Sequence, residues 1–137
     1  MSNTTTLDLA ADVIDVRDII ARVEELEAEA AELNETENFD LWAHTRPDDA
    51  AELATLRDIL AELAGDGGDE QWRGDWYPVT LVCDSHLVDY FRELLDECGE
   101  IPTSLAPYIE IDWEATARNM RVDYTPVEID GCTYWYR

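Results

Sequence analysis

The sequence predicts an α+β fold: an N-terminal antiparallel helical hairpin followed by a small three-stranded antiparallel sheet packed with two helices. Three observations lead there. Apolar residues in the first half recur at alternating spacings of three and four, the signature of one helix face. The stretch WYPVTLV (76–82) alternates and is rich in β-branched residues, as a strand is. Near the end, Asp130-Gly131 separates VEI from CTYWY, and this dipeptide favours a two-residue hairpin turn.

The elements follow in order. MSNTTT (1–6) reads as a frayed start. From about 7 to 37 the pattern is helical, with Val16, Ile19, Val23, Leu26, Ala30 and Leu33 forming a narrow seam. A polar connection (34–46) carries two aromatic anchors, Phe39 and Trp42. Pro47 suits the first turn of a second helix, and Asp48 and Asp49 complement its positive end. Leu53, Leu56, Leu60 and Leu63 give that helix its own seam, which ends at Gly65. Pairing the two seams buries both, within one chain or doubled in a dimer. The domain reading is therefore a helical hairpin over 1–64, an acidic Gly-rich mobile linker over 65–71, and an α+β domain over 72–137. In the last of these, Asp84 or Ser85 is expected to cap a helix whose face is Leu87, Val88, Phe91, Leu94, Leu95 and Cys98. Pro102 and Pro107 interrupt the path before a short helix at about 112–121.

The charge is extreme. Thirty-three acids oppose nine bases, all of them arginine, for a formal net charge of −24 over 137 residues. Phosphate attraction would be reversed on such a surface, which argues against direct nucleic-acid binding and against an anionic membrane. A hydrophobic content of 46% still permits a core. No apolar run reaches membrane length and no signal peptide is evident, so the chain is expected in the cytoplasm. Cys83, Cys98 and Cys132 are widely spaced and are expected to be reduced and buried.

Little in the sequence supports catalysis. His44 and His86 are the only histidines, and Cys83 near His86 is the single pairing that resembles a nucleophile with a base. Zinc-type spacing is absent, and DGGDE (66–70) lacks the alternating oxygens of a calcium loop. No phosphate-cradling glycine loop is present. The expectation is a non-enzyme with no cofactor and no metal.

What remains is the arrangement of the acids. Twenty-four charges correspond to roughly 41 Å of duplex at one charge per ~1.7 Å of axis. Carboxylates three or four positions apart on a helix stand about 5–6 Å from one another, near the spacing of successive phosphates. Asp89, Glu93, Asp96, Glu97 and Glu100 make one such row; Asp12, Asp15 and Asp18 make another. Like-charge rows cost a few tenths of a kcal/mol per pair, so a reason for them is wanted. A decoy for a DNA-binding pocket is one reason; solubility or high-salt adaptation is the other, and composition does not separate them.

The C-terminal half is similar to the ArdA-type antirestriction proteins of phages and mobile elements. The likeness rests on Asp89-Tyr90, Glu93-Leu94, Ile101-Pro102 with Leu105, and Tyr108-Ile109. It continues through Asp112-Trp113-Glu114 with Ala117-Arg118 and Met120 to Asp123-Tyr124, about sixty residues in all. Residues 7–64 do not resemble that family's upstream modules. The family's members are acidic, elongated DNA mimics that bind type I restriction-modification enzymes in place of DNA and often dimerise. The resemblance thus implies an anti-defence inhibitor whose partner is a host DNA-binding defence protein, either a type I restriction-modification enzyme or a CRISPR effector complex. Candidate mimicking acids are Asp84, Asp89, Glu93, Asp96, Glu97, Glu100, Glu110, Asp112 and Glu114. Val16, Ile19, Val23, Leu26, Leu33, Leu53, Leu56 and Leu60 are candidates for oligomerisation. The alternative is a helical oligomerising adaptor whose acids only solubilise it.

Overall fold

A computed structural model describes residues 7–35 and 40–137. Phe39, expected as an anchor, and the MSNTTT segment lie outside the described residues. The protein is α+β, as its patterning predicts, and its backbone divides into two compact units. Asp15–Val79 belong to the first; Ala10–Ile14 and Thr80–Arg137 make the second.

The first unit is built on three helices, α1 (Val16–Asn34), α2 (Leu41–Thr45) and α3 (Pro47–Leu63). Asp15 starts α1 as its N-cap, accepting a hydrogen bond from the Arg17 amide. Pro47 stands in the first turn of α3, where its missing N–H is harmless. The apolar faces of α1 and α3 pack together, burying Val16, Ile19, Val23 and Leu26 with Leu53, Leu56, Leu60 and Leu63. Each such side chain contributes roughly 1.5–3 kcal/mol by leaving water. The chain thus fills its own seam, except at Leu33, which is 40% exposed. The connection also contains the short helix α2, which buries Trp42.

The stretch expected as a mobile linker is structured in part. Glu70–Trp72 (β2) and Asp75–Tyr77 (β3) form a two-stranded antiparallel ribbon. The Trp72 indole N–H donates to Glu24 Oε1 at 2.8 Å, and Arg73 pairs with Glu27 at 3.1 Å, tying the ribbon to α1. Gly67 lets the chain pass Pro78: its φ is +74°, and a Cβ there would lie 2.8 Å from the Pro78 Cα.

The second unit contains a four-stranded sheet, one strand more than expected, in the order β1-β4-β6-β5. The extra strand, β1 (Val13–Asp15), comes from residues whose pattern read as helix; three residues are too few for periodicity to distinguish the two. The run 76–82 is split at Pro78 between β3 and β4 (Thr80–Cys83), because proline cannot supply a ladder N–H. The terminal hairpin pairs β5 (Thr125–Ile129) with β6 (Cys132–Tyr136) in the expected register, Ile129 opposite Cys132. Asp130 and Gly131 both adopt positive φ, +51° and +81°, as a primed turn requires. Tyr134 is fully buried and donates its hydroxyl to the Ala11 carbonyl at 2.7 Å.

Two helices cover one face of this sheet: α4 (Leu87–Glu97) and α5 (Trp113–Met120). Their core is Val82, Leu87, Phe91 and Ala117, with Leu94, Met120, Tyr124 and Trp135 packed around it. A 3-10 turn (Asp84–His86) leads into α4, and neither Asp84 nor Ser85 supplies a side-chain cap. Cys98 follows the end of α4 in solvent, not on its inner face, and Cys132 is exposed beside the hairpin turn; Cys83 is half-buried.

Candidate functional site

The nine candidate acids are all solvent-exposed and all belong to the second unit. They differ in how they are held. Asp84 is engaged within the chain: Trp135 Nε1 donates to its Oδ1 at 2.9 Å, and Arg121 Nη1 lies 3.7 Å away. Asp112 caps α5 by accepting from the Ala115 amide at 3.0 Å. Among the described residues, none of the other seven takes part in an ion pair.

Most of the arginines that contact another side chain meet a carboxylate, and Arg92 departs from this. In the first unit, Arg17, Arg22, Arg46, Arg57 and Arg73 each meet a carboxylate of their own unit. In the second, Arg92 shares α4 with Asp89, Glu93, Asp96 and Glu97, yet its guanidinium lies over the Trp113 ring, 5.3 Å from the centroid. Arg121 stacks over Trp135 at 5.1 Å and also stands near Asp84, just as Arg73 stacks over Trp72 at 4.2 Å while pairing with Glu27. Among the described residues, the α4 carboxylates form no ion pair with the one cation in their helix. Asp89, near the positive end of α4, is favourably placed; Asp96 and Glu97 are not, because the last turn has no base and its carbonyls are partially negative.

Beside this row lies a groove of about 710 Å³. Arg92, Glu93 and Asp96 reach it from α4, and Trp113 from α5. Ile101, Leu105, Ile109, Glu110 and Ile111 enter from the link between the helices. Of the nine acids, the groove gathers Glu93, Asp96 and Glu110; the other six lie outside its lining. The link has no regular structure beyond a turn in which the Ile109 amide donates to the Ala106 carbonyl. Its prolines, Pro102 and Pro107, prevent a helix that would bury the four-residue spacing of Ile101, Leu105 and Ile109. That combination was the available signal for an exposed apolar surface: helical spacing in a segment barred from being a helix. Leu105, Ile109 and Tyr108 are 40%, 49% and 86% exposed.

The single nucleophile-and-base pairing does not assemble into a catalytic group. Cys83 Sγ lies 3.2 Å from the Ser85 hydroxyl, while His86 Nδ1 stands 3.9 Å from Asp12. His44 is exposed on α2. Among the described residues, no helix is long and apolar enough to cross a membrane.

The chain matches no curated protein and no solved structure. It does match the family model described as Antirestriction protein (ArdA), over residues 6–133. That span takes in the α1–α3 helices, so the reading that placed residues 7–64 outside the family is corrected. With most of its length matched, and with an exposed acidic second unit that carries the motifs first noticed in the sequence, the chain belongs to the ArdA antirestriction family, a family of inhibitors.

Proposed function

We propose that this protein inhibits a type I restriction-modification enzyme by presenting the α4 carboxylates, with those of the adjoining link and α5, to the enzyme's DNA-binding surface in place of duplex phosphates. The observation that carries the reading is the un-neutralised row Asp89, Glu93, Asp96 and Glu97, left without a counter-ion although Arg92 stands among them. Such a row works against folding through like-charge repulsion and, at its C-terminal end, against the helix dipole. A surface that serves only hydration has no need to divert its one local cation onto a tryptophan. A cleft lined with Arg and Lys, by contrast, gains from every uncompensated carboxylate, and charge complementarity also speeds encounter.

The test is competition. The protein should block DNA cleavage by a type I enzyme, excess oligonucleotide duplex should restore the enzyme's independence from it, and binding should weaken steeply as salt rises. Inhibition that persists unchanged against saturating duplex would sink the reading.

A further inference from the structure

We infer that the groove between α4 and the link is a docking site for a protein segment that carries an aliphatic or aromatic side chain flanked by arginine or lysine. This rests on the proposed inhibitory function and adds to it a contact that no nucleic acid makes. Two features of the groove fix the occupant's chemistry. Its lining is apolar in large part, with Ile101, Leu105, Ile109, Ile111 and Trp113. Exposing such a cluster to water is unfavourable, and contiguous apolar patches on soluble proteins mark interaction surfaces. Its charged lining is net anionic, with Glu93, Asp96 and Glu110 against the single cation Arg92, whose guanidinium lies over the Trp113 ring.

Each feature excludes an alternative. A duplex, itself anionic, is repelled by the net anionic lining. A purely basic segment would satisfy the carboxylates and leave the apolar lining wet. An apolar side chain seated between two cations satisfies both, in the pattern of a buried anchor with a polar surround. Tyr108, 86% exposed in the same link, adds an aromatic face of the kind that anchors protein interfaces. Binding to the inhibited enzyme then has two components: a salt-sensitive one from the carboxylate row and a salt-resistant one from this groove.

The experiment is an NMR titration of the intact, isotope-labelled protein with three capped tetrapeptides: Arg-Leu-Trp-Arg, Arg-Gly-Gly-Arg and Glu-Leu-Trp-Glu. The first should shift the Trp113 indole and the methyls of Ile101, Leu105 and Ile109, and part of the shift should survive in high salt. The other two should leave those signals in place. Leu105→Ser combined with Ile109→Ser, both at exposed positions, should abolish the response and weaken inhibition of a type I enzyme at least threefold, with the salt slope unchanged. No groove shifts with the first peptide, equal shifts with the glycine peptide, or self-association that occludes the groove would each overturn the assignment. Because the titration needs no restriction enzyme, peptide binding without inhibition would refute the function while leaving the groove standing. Inhibition unaffected by the double variant would do the reverse.

Discussion

Arg22 grips Glu52 with two parallel hydrogen bonds, Nε to Oε2 and Nη2 to Oε1, both 2.9 Å. The pair joins α1 to α3, and the same guanidinium also holds Glu25 one turn further along α1. These contacts, the Glu52 hydrogen bonds foremost, raise the Arg22 pKa above the ordinary arginine value. The Arg22 side chain is only 13% exposed, so the pair lies between a surface bridge and a buried one. Arg22→Ala should therefore destabilise the protein by about 1–2 kcal/mol. Arg22→Lys should recover only part of the loss, since an ammonium cannot make the parallel fork. Urea denaturation of the two variants tests both statements.

Asp15 gives a pH-dependent contribution of known sign. Its carboxylate accepts from the Arg17 side chain, the main influence, and from the Arg17 amide; its pKa is held below the usual carboxylate value despite some desolvation. The stabilisation is present above the unfolded-state pKa and is lost as pH falls through the lower folded-state value. Asp15→Asn keeps a competent cap without the titration, so the stability gap between it and the wild type should close on acidification. Asp15→Ala removes the cap and should cost about 1 kcal/mol at neutral pH. Thermal melts across an acid series measure both.

Gly67→Ala should harm the first unit more than Gly65→Ala. Both positions have positive φ, so both substitutions carry backbone strain, but only at position 67 does the new methyl meet backbone, at Pro78. A difference of about 1–3 kcal/mol is expected. Equal midpoints for the two variants would show that the Gly67–Pro78 approach is not retained in solution.

Charge reversal on α4 separates fold from function. Asp89→Arg, Glu93→Arg and Asp96→Arg together should abolish inhibition of a type I enzyme. Reversal at Asp96 places a cation in the last turn, where the dipole welcomes one, which offsets the loss of the favourably placed Asp89 in the first turn. Removing three like charges also relieves repulsion. The melting temperature of the triple variant should therefore hold or rise while its activity disappears. A parallel fall in both would attribute the effect to unfolding.

The thiols should titrate in two classes. Cys98 and Cys132 are exposed, and Cys83 is half-buried against Ser85. A disulfide reagent added to the native protein should modify two groups quickly and one slowly, read by absorbance of the released thiolate.

Much of this architecture was legible because helical periodicity and hairpin turn chemistry are local. The Val16-to-Leu26 seam, its Leu53-to-Leu63 counterpart and the Asp130-Gly131 turn are each encoded within a few residues. What escaped depended on distant partners. Val13–Asp15 become a strand only because β4 lies beside them, and Trp72 and Arg73 hold their ribbon against Glu24 and Glu27, more than forty positions earlier. The exposure of Cys98 was equally illegible, since helical phase places it on the inner face and only the end of α4 at Glu97 removes it. The acids of the candidate site could be enumerated from the sequence. Their lack of counter-ions could not, because it turns on where the Arg92 guanidinium rests.

The path of β1 sets a constraint on how the chain can be dissected. One piece of the second unit, Ala10–Ile14, is synthesised before the whole of Asp15–Val79, and the remainder comes last. On the ribosome this early segment must wait for the final residues to emerge before its sheet can close, a long-range pairing of the kind that slows folding. A recombinant fragment starting at Thr80 would lack its edge strand and the Ala11 carbonyl that receives Tyr134. An excised version of this unit would need the early segment grafted back through an engineered loop.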